Sequence, residues 1–129
     1  MRAHFILYVS DQTAAALFYA KVFARQADLH VPGMSEFRLS DRAVLGLMPV
    51  GAITRLLGEK LPHPGQAQGI PRAEVYLVVD DPEAFHQRAL ASGATELSPL
   101  LLRNWGDEAA YSLDPDGHVL AFARQAKPR

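Results

Sequence analysis

The sequence predicts an α+β fold in which one chain carries a βαβββ module twice. Three observations lead to this prediction. Apolar, β-favouring runs at residues 3–9 and 73–79 are each followed by residues that cap helices. Each predicted helix is followed by three short extended segments separated by turn residues. The two halves also align with each other at a nearly constant offset.

The first module begins with a strand at residues 3–9 and a helix that Ser10 or Asp11 can cap through a side-chain oxygen. Apolar residues recur at three- and four-residue spacing up to about Arg25, which predicts an amphipathic helix. Extended segments follow at residues 29–31, 36–40 and 43–50, separated by turn-forming residues.

After Gly51 the chain becomes rich in residues that break regular structure. Residues 56–72 hold three prolines and three glycines and show no apolar periodicity. We therefore expect a connection without helix or strand, and we expect its 56–69 part to be a mobile flap.

The second module repeats the order of the first. A strand at residues 73–79 precedes a helix with Asp81 as N-cap and Pro82 at its first position, which ends at Ser92 and Gly93. Strands at 97–101, 108–113 and 118–123 follow, with a tight turn at 114–117. We expect residues 1–129 to form a single domain, with the modules at about 1–55 and about 73–125.

The repeat is visible as identities between the two halves. An offset of 70 positions (74 − 4) pairs four residues of the first strand and helix with Leu77, Val79, Asp81 and Ala84. An offset of 75 (116 − 41) aligns three residues of the first module's last hairpin with the identical residues Asp116, Val119 and Leu120 of the second module. Because the matches fall on strand ends and caps, they indicate internal duplication.

The composition excludes several classes of partner. Thirteen Lys and Arg against 14 Asp and Glu give a net charge of −1, so no broad cationic surface exists for nucleic acid or an anionic membrane. The absence of cysteine excludes thiolate catalysis, disulfides and cysteine metal sites. The first twenty residues lack the apolar run of a signal peptide, and we expect a cytoplasmic protein.

Four segments share a pattern with a known protein family: HFILYVSDQTAAALFYAKVF, AEVYLVVDDPEAF, ALASGA and WGDEAAYSLDPDGHVLAFA. Together they resemble the vicinal oxygen chelate superfamily of glyoxalases, bleomycin-resistance proteins and ring-cleaving dioxygenases. The resemblance covers nearly the whole chain, and the last segment is its most specific part. It implies that the two modules form a half-open, cup-shaped mixed β-sheet barrel with helices outside, enclosing a small-molecule pocket. It also implies a homodimer.

The resemblance further implies that divalent-metal ligands, when present, lie on the first and last strand of each module. These positions hold His4, Gly46, Glu74 and Ala121. Only His4 and Glu74 can ligate a metal, whereas a catalytic site generally needs three or more protein ligands. We therefore expect an incomplete site and no cofactor, and any divalent metal that does bind should bind weakly.

The remaining polar candidates have structural interpretations beside the functional ones. We do not expect the histidines of the connection, the second helix and the last strand to complete a metal site: His63, His86 and His118. Asp114 and Asp116 suit a tight turn better than a calcium site. Arg38 and Arg103 could pair with an anionic ligand, although surface arginines usually serve solubility.

Strand alternation places the candidate site residues on one face of each module. His4 and Tyr8 share a face of the first strand, and Glu74 and Tyr76 share the corresponding face of the fifth. A His4–Glu74 pair could act as a general base or orient a polar ligand, and His4 could equally be an ordinary hydrogen-bonded histidine. The resemblance places Trp105 and Tyr111 near the pocket mouth, where the alternative is ordinary packing.

These residues support three functional hypotheses. The leading one is a pocket protein that binds a small, partly apolar molecule without a complete catalytic metal site. The alternative is a metal-dependent lyase, isomerase, thiol transferase or ring-cleaving dioxygenase that uses His4 and Glu74. A dimerisation or scaffold module would be favoured if the protein's own side chains filled the pocket.

Overall fold

The structure of the protein is a computed structural model in which residues 1–126 are described. Two units are compact by themselves: residues 1–20 with 24–68, and residues 21–23 with the described residues from 69 onward. Each unit contains a four-stranded mixed sheet, and neither sheet closes on itself. In the part of the chain that is described, no helix is long and apolar enough to cross a membrane.

The first sheet has the strand order β1-β4-β3-β2, with β1 parallel to β4 and the other pairs antiparallel. Its elements are β1 (Ala3–Val9), α1 (Gln12–Phe23), β2 (Leu29–Val31), β3 (Met34–Ser40), β4 (Ala43–Pro49) and α2 (Val50–Leu57). Its buried apolar residues lie on one face of the sheet and on α1: Val9, Phe18, Tyr19, Phe37, Leu45 and Leu47. Gln12 at the start of α1 donates to Val31 O at 2.7 Å, which ties the helix to β2.

The second sheet repeats this arrangement in the order β5-β8-β7-β6. Its elements are β5 (Glu74–Val78), α3 (Pro82–Ala91), β6 (Thr95–Leu102), β7 (Asp107–Leu113) and β8 (Val119–Gln125). Helix α3 covers β7 and β8, with the Phe85 and Phe122 ring centroids 5.4 Å apart. This contact leaves the opposite sheet face for the side chains of Glu74 and Tyr76.

The strand register reproduces the offsets found between the two halves of the sequence. His4 pairs with Val44 and Glu74 with Val119, which are offsets of 70 (74 − 4) and 75 (119 − 44). The helix caps correspond as well, because Asp11 accepts a hydrogen bond from Ala14 N at 2.9 Å and Asp81 one from Ala84 N at 3.1 Å. The predicted α+β fold with two βαβββ modules is confirmed.

The main correction concerns the connection between the modules. Helix α2 (Val50–Leu57) begins where the prediction extended β4 to residue 50, and short 3₁₀ turns follow at Gly58–Lys60 and Pro64–Ala67. The helix ends at Gly58, whose φ of 66° suits glycine. The first helix also stops at Phe23, two residues before the predicted end, because Ala24 adopts a left-handed conformation.

Candidate functional site

His4 of the first unit lies beside a carboxylate that the sequence did not single out. Its Nδ1 is 3.5 Å from Oε2 of Glu36, and the two side chains are 32% and 24% exposed. Glu36 is paired with Gly46, and Gly46 with Ile6, so Glu36 shares a sheet face with His4 although β4 lies between their strands. Strand order, which the sequence did not predict, brings the two groups together.

The glycine at the expected ligand position of β4 is closely surrounded. A Cβ atom at Gly46 would lie 3.1 Å from Ile6 Cγ1 and 3.3 Å from Met34 Sδ. Side chains of β1 and β3 therefore close over this position, and a glutamate there would have to displace them. Tyr8 lies further along the same face of β1 and is 37% exposed.

The donor set of each unit does not fit a bound catalytic metal. The first unit offers the His4–Glu36 pair, and Gly46 supplies no third side chain. In the second unit Ala121 is fully buried at the corresponding position. Within residues 1–126, no group of three or more His, Asp or Glu is arranged to hold a metal ion. We therefore assign no chemical step to a metal.

In the second unit, three side chains form a chain of hydrogen bonds. The Tyr76 hydroxyl donates to Oδ2 of Asp107 at 2.6 Å and accepts from Trp105 Nε1 at 3.0 Å. Asp107 is 1% exposed, whereas Trp105 is 48% exposed. A buried carboxylate therefore fixes the orientation of an indole ring that solvent can reach.

Tyr111 lies next to these hydrogen-bonded side chains and makes a cation–π contact. The guanidinium of Arg103 lies 5.1 Å from the ring centroid of Tyr111. Arg103 is itself held by Ser98 Oγ at 2.6 Å and by Ala109 O at 2.7 Å. We call Tyr76, Trp105, Asp107, Tyr111 and Arg103 the aromatic cluster. It contains three of the four predicted pocket residues.

Both tyrosines of the aromatic cluster are held in their neutral form. Desolvation and the hydrogen bond to Asp107 raise the pKa of Tyr76, against a smaller lowering by the Trp105 donor. Desolvation and the charge of Glu74 raise the pKa of Tyr111, against the lowering effect of Arg103. The phenols are therefore protonated hydrogen-bonding groups at neutral pH rather than bases.

Glu74 is exposed at the start of β5, and its charge acts on Tyr111. The structure thus places His4 beside Glu36. Glu74, by contrast, lies near Tyr111. The pairing of His4 with Glu74 stays a prediction. Asp107 was missed because it stands just before the predicted strand at 108–113, although its alternation with Tyr111 was a usable signal.

The other histidines have local partners. His63 Nδ1 accepts from Gly65 N at 2.9 Å in a 3₁₀ turn, and His86 of α3 meets Glu96 Oε2 at 2.9 Å. His118 Nδ1 lies 2.9 Å from Asp114 Oδ2. Asp114 Oδ1 also accepts from the backbone N–H of Asp116 at 3.0 Å, which confirms the turn interpretation of these aspartates.

Comparisons with known proteins agree with this architecture. A family model described as a glyoxalase-like domain matches residues 4–123. An uncharacterized protein of Mycobacterium bovis is 30% identical over 120 residues, which cover 87% of this chain and 75% of that protein. A counterpart in Mycobacterium tuberculosis H37Rv shows the same identity over 67% of its length.

Solved structures show the same fold at low sequence identity. A glyoxalase-related enzyme from Fulvimarina pelagi superimposes with a TM-score of 0.80 at 22% identity, over 97% of this chain and 88% of that chain. A glyoxalase/bleomycin resistance protein/dioxygenase family enzyme from Burkholderia phytofirmans gives 0.76 at 20% identity, over 95% and 96%. With the family match spanning residues 4–123, the chain belongs to the glyoxalase-like family of the vicinal oxygen chelate superfamily.

Proposed function

We propose that the protein binds a small, planar, partly apolar molecule on the aromatic cluster of the second unit. One observation carries this proposal: Trp105 is half exposed, yet its indole N–H is held by Tyr76, which the buried Asp107 holds in turn. An exposed aromatic ring that is already ordered loses little conformational entropy on binding a ligand. The ring face is therefore suited to stacking.

The chemistry of the aromatic cluster favours an uncharged, flat ligand. The Tyr76 hydroxyl uses both its donor and an acceptor site within the cluster, and the Arg103 guanidinium is bound to protein oxygens. Because these groups already hold the rings in place, most of a ligand's binding free energy comes from stacking and from burial of apolar surface. The negative charge of Glu74 acts on Tyr111, which disfavours an anionic ligand here.

The test uses Trp105, which is the single tryptophan of the chain. In ¹⁵N-resolved NMR spectra its indole N–H signal should shift saturably on titration with 2-naphthol, and cyclohexanol should not reproduce the shift. Asp107→Asn should weaken 2-naphthol binding by about tenfold, because the Tyr76–Trp105 arrangement loses its charged acceptor.

Asp41→Asn, at the exposed β3–β4 turn, removes the same charge elsewhere and should bind 2-naphthol like the parent. Equal binding by the parent and by Asp107→Asn, or a Trp105 signal that does not respond to 2-naphthol, would contradict the proposal.

A further inference from the structure

A concavity lies in the first unit, and none of its lining residues belongs to the aromatic cluster. Its volume is about 200 Å³, and its lining residues are Arg2, His4, Asp28, Leu29, Glu36, Arg38 and Val44. Pockets for drug-sized molecules measure about 300–1,000 Å³, so this one suits a smaller molecule. We propose that it binds a small organic carboxylate, with the guanidinium groups of Arg2 and Arg38 pairing with the anion.

The acidic side chains of this concavity already have partners. Asp28 Oδ2 accepts from Arg25 Nη1 at 2.9 Å and from the backbone N–H of Arg38 at 2.6 Å. That backbone hydrogen bond, the Arg25 side chain and, to a smaller extent, the charge of Arg38 hold the pKa of Asp28 below its usual value. Glu36 faces His4 Nδ1 at 3.5 Å. The Asp28 carboxylate is therefore engaged by Arg25 and by the backbone, whereas Glu36 lies beside the His4 ring.

The positive groups of the concavity are Arg2 and Arg38. In the part of the chain from residue 1 to 126, no ion-pair partner lies within 4.0 Å of the guanidinium of Arg2 or of Arg38. Both line one concavity, and a planar carboxylate matches the fork of N–H donors on a guanidinium. Together with Arg25, which binds Asp28, the two arginines outnumber the carboxylates of Asp28 and Glu36, so the net charge around the concavity is positive and favours an anion.

The remaining lining residues indicate an organic anion rather than an inorganic one. Leu29 is 39% exposed, and Val44 contributes a second apolar surface, so a short hydrocarbon chain can lie against them. His4 Nδ1 faces Glu36 at 3.5 Å, so Nε2 is the ring nitrogen that can hydrogen-bond a polar group of the ligand. A carboxylate with a short aliphatic chain satisfies all three features.

The experiment is a titration of the full chain with butyrate, followed by backbone amide NMR. Butyrate should cause saturable shifts at the amides of Leu29, Arg38 and Val44 with a millimolar Kd, a magnitude suited to so small a ligand. Arg38→Gln should weaken butyrate binding by about tenfold, the usual cost of losing a hydrogen bond to a charged group. Arg55→Gln, an equal loss of charge on the exposed side of α2, should leave it unchanged.

Two further ligands test separately the contributions of the negative charge and of the hydrocarbon chain. Butyramide, which has the same shape without the charge, should not bind, and inorganic phosphate should bind more weakly than butyrate because it has no apolar part. The inference is overturned if butyramide or phosphate matches butyrate, or if Arg38→Gln binds as the parent does. None of these results bears on 2-naphthol binding by the aromatic cluster, so the two proposals fail independently.

Discussion

Ala121 lies between Tyr76 of β5 and Tyr111 of β7 in one row of the second sheet. Alternation places it on the same face as Glu74 and Asp107. Because Ala121 is fully buried, a glutamate at this position would cost stability while adding a carboxylate to that face. We therefore expect Ala121→Glu to increase affinity for Zn²⁺, Ni²⁺ or Mn²⁺, measured by calorimetric titration beside the parent.

Leu120 provides the matched control for Ala121. It is paired with Val75, is fully buried, and lies on the sheet face that α3 covers. Leu120→Glu should therefore lower the free energy of unfolding by about 2–5 kcal/mol without gaining metal affinity, as thermal or urea melting would show. Absence of any metal gain in Ala121→Glu would mean that position 121 is not equivalent to a ligand position.

His118 makes the turn between β7 and β8 sensitive to pH. Burial by itself would lower the pKa of His118, but the hydrogen bond and charge of Asp114, with the charge of Asp116, raise it overall. A raised pKa in the folded state means that the pair stabilises fully below the unfolded pKa of about 6.5, and that this contribution is lost as pH rises through the folded pKa.

The stability advantage of the parent over His118→Asn should therefore shrink between about pH 6 and about pH 9. Urea unfolding at both values measures it, with His63→Asn as a control in an exposed turn. A difference between parent and His118→Asn that stays constant with pH would show that the ion pair does not form.

The sequence predicted which face of a strand a residue lies on, but it did not predict contacts that depend on the order of the strands in the sheet. Tyr76 and Tyr111 were recognised from alternation and from the family pattern, and both lie in the aromatic cluster. Glu36 was missed because its contact with His4 depends on β4 lying between β1 and β3. Spacing along the chain carries no information about that order.

At the scale of the element, α2 shows where local signals mislead. Gly51 and the prolines that follow suggested irregular structure, yet Val50–Leu57 is helical with Ile53 buried. Its apolar residues, Val50, Ile53 and Leu57, do recur at three- and four-residue spacing. Burial of Ile53 outweighed the low helix propensity of one glycine, which costs only about 1 kcal/mol.

The segment 56–69, which lies in the first unit up to Gln68, should nevertheless open before the strands of either sheet. After the end of α2 its backbone hydrogen bonds are short-range turns, such as Gln66 N to His63 O at 3.0 Å and Gln68 N to Gly65 O at 3.2 Å. We expect its amides to exchange hydrogen much faster than those of Glu74–Val78 in β5, which are paired with β8. Hydrogen exchange with mass spectrometry distinguishes them, and equal protection would contradict the flap.

At the scale of the whole molecule, we predict a homodimer. Two sheets with open edges leave apolar side chains in solvent, among them Phe5 on β1 at 59% exposure and Leu102 on β6 at 69%. Pairing of chains commonly covers such edges. Light scattering at micromolar concentration should give twice the 14.1 kDa chain mass. A single species of monomer mass would contradict the prediction.

The parallel pairing of β1 with β4 also determines when the first unit can fold. Ala3 pairs with Ala43, so β1 must wait for a strand that is made 40 residues later (43 − 3). Contacts between distant residues slow folding, because loop closure must precede any gain from pairing. During synthesis, β1 therefore has no parallel partner until β4 has left the ribosome, a period in which the Leu7 side chain is not yet covered by the sheet.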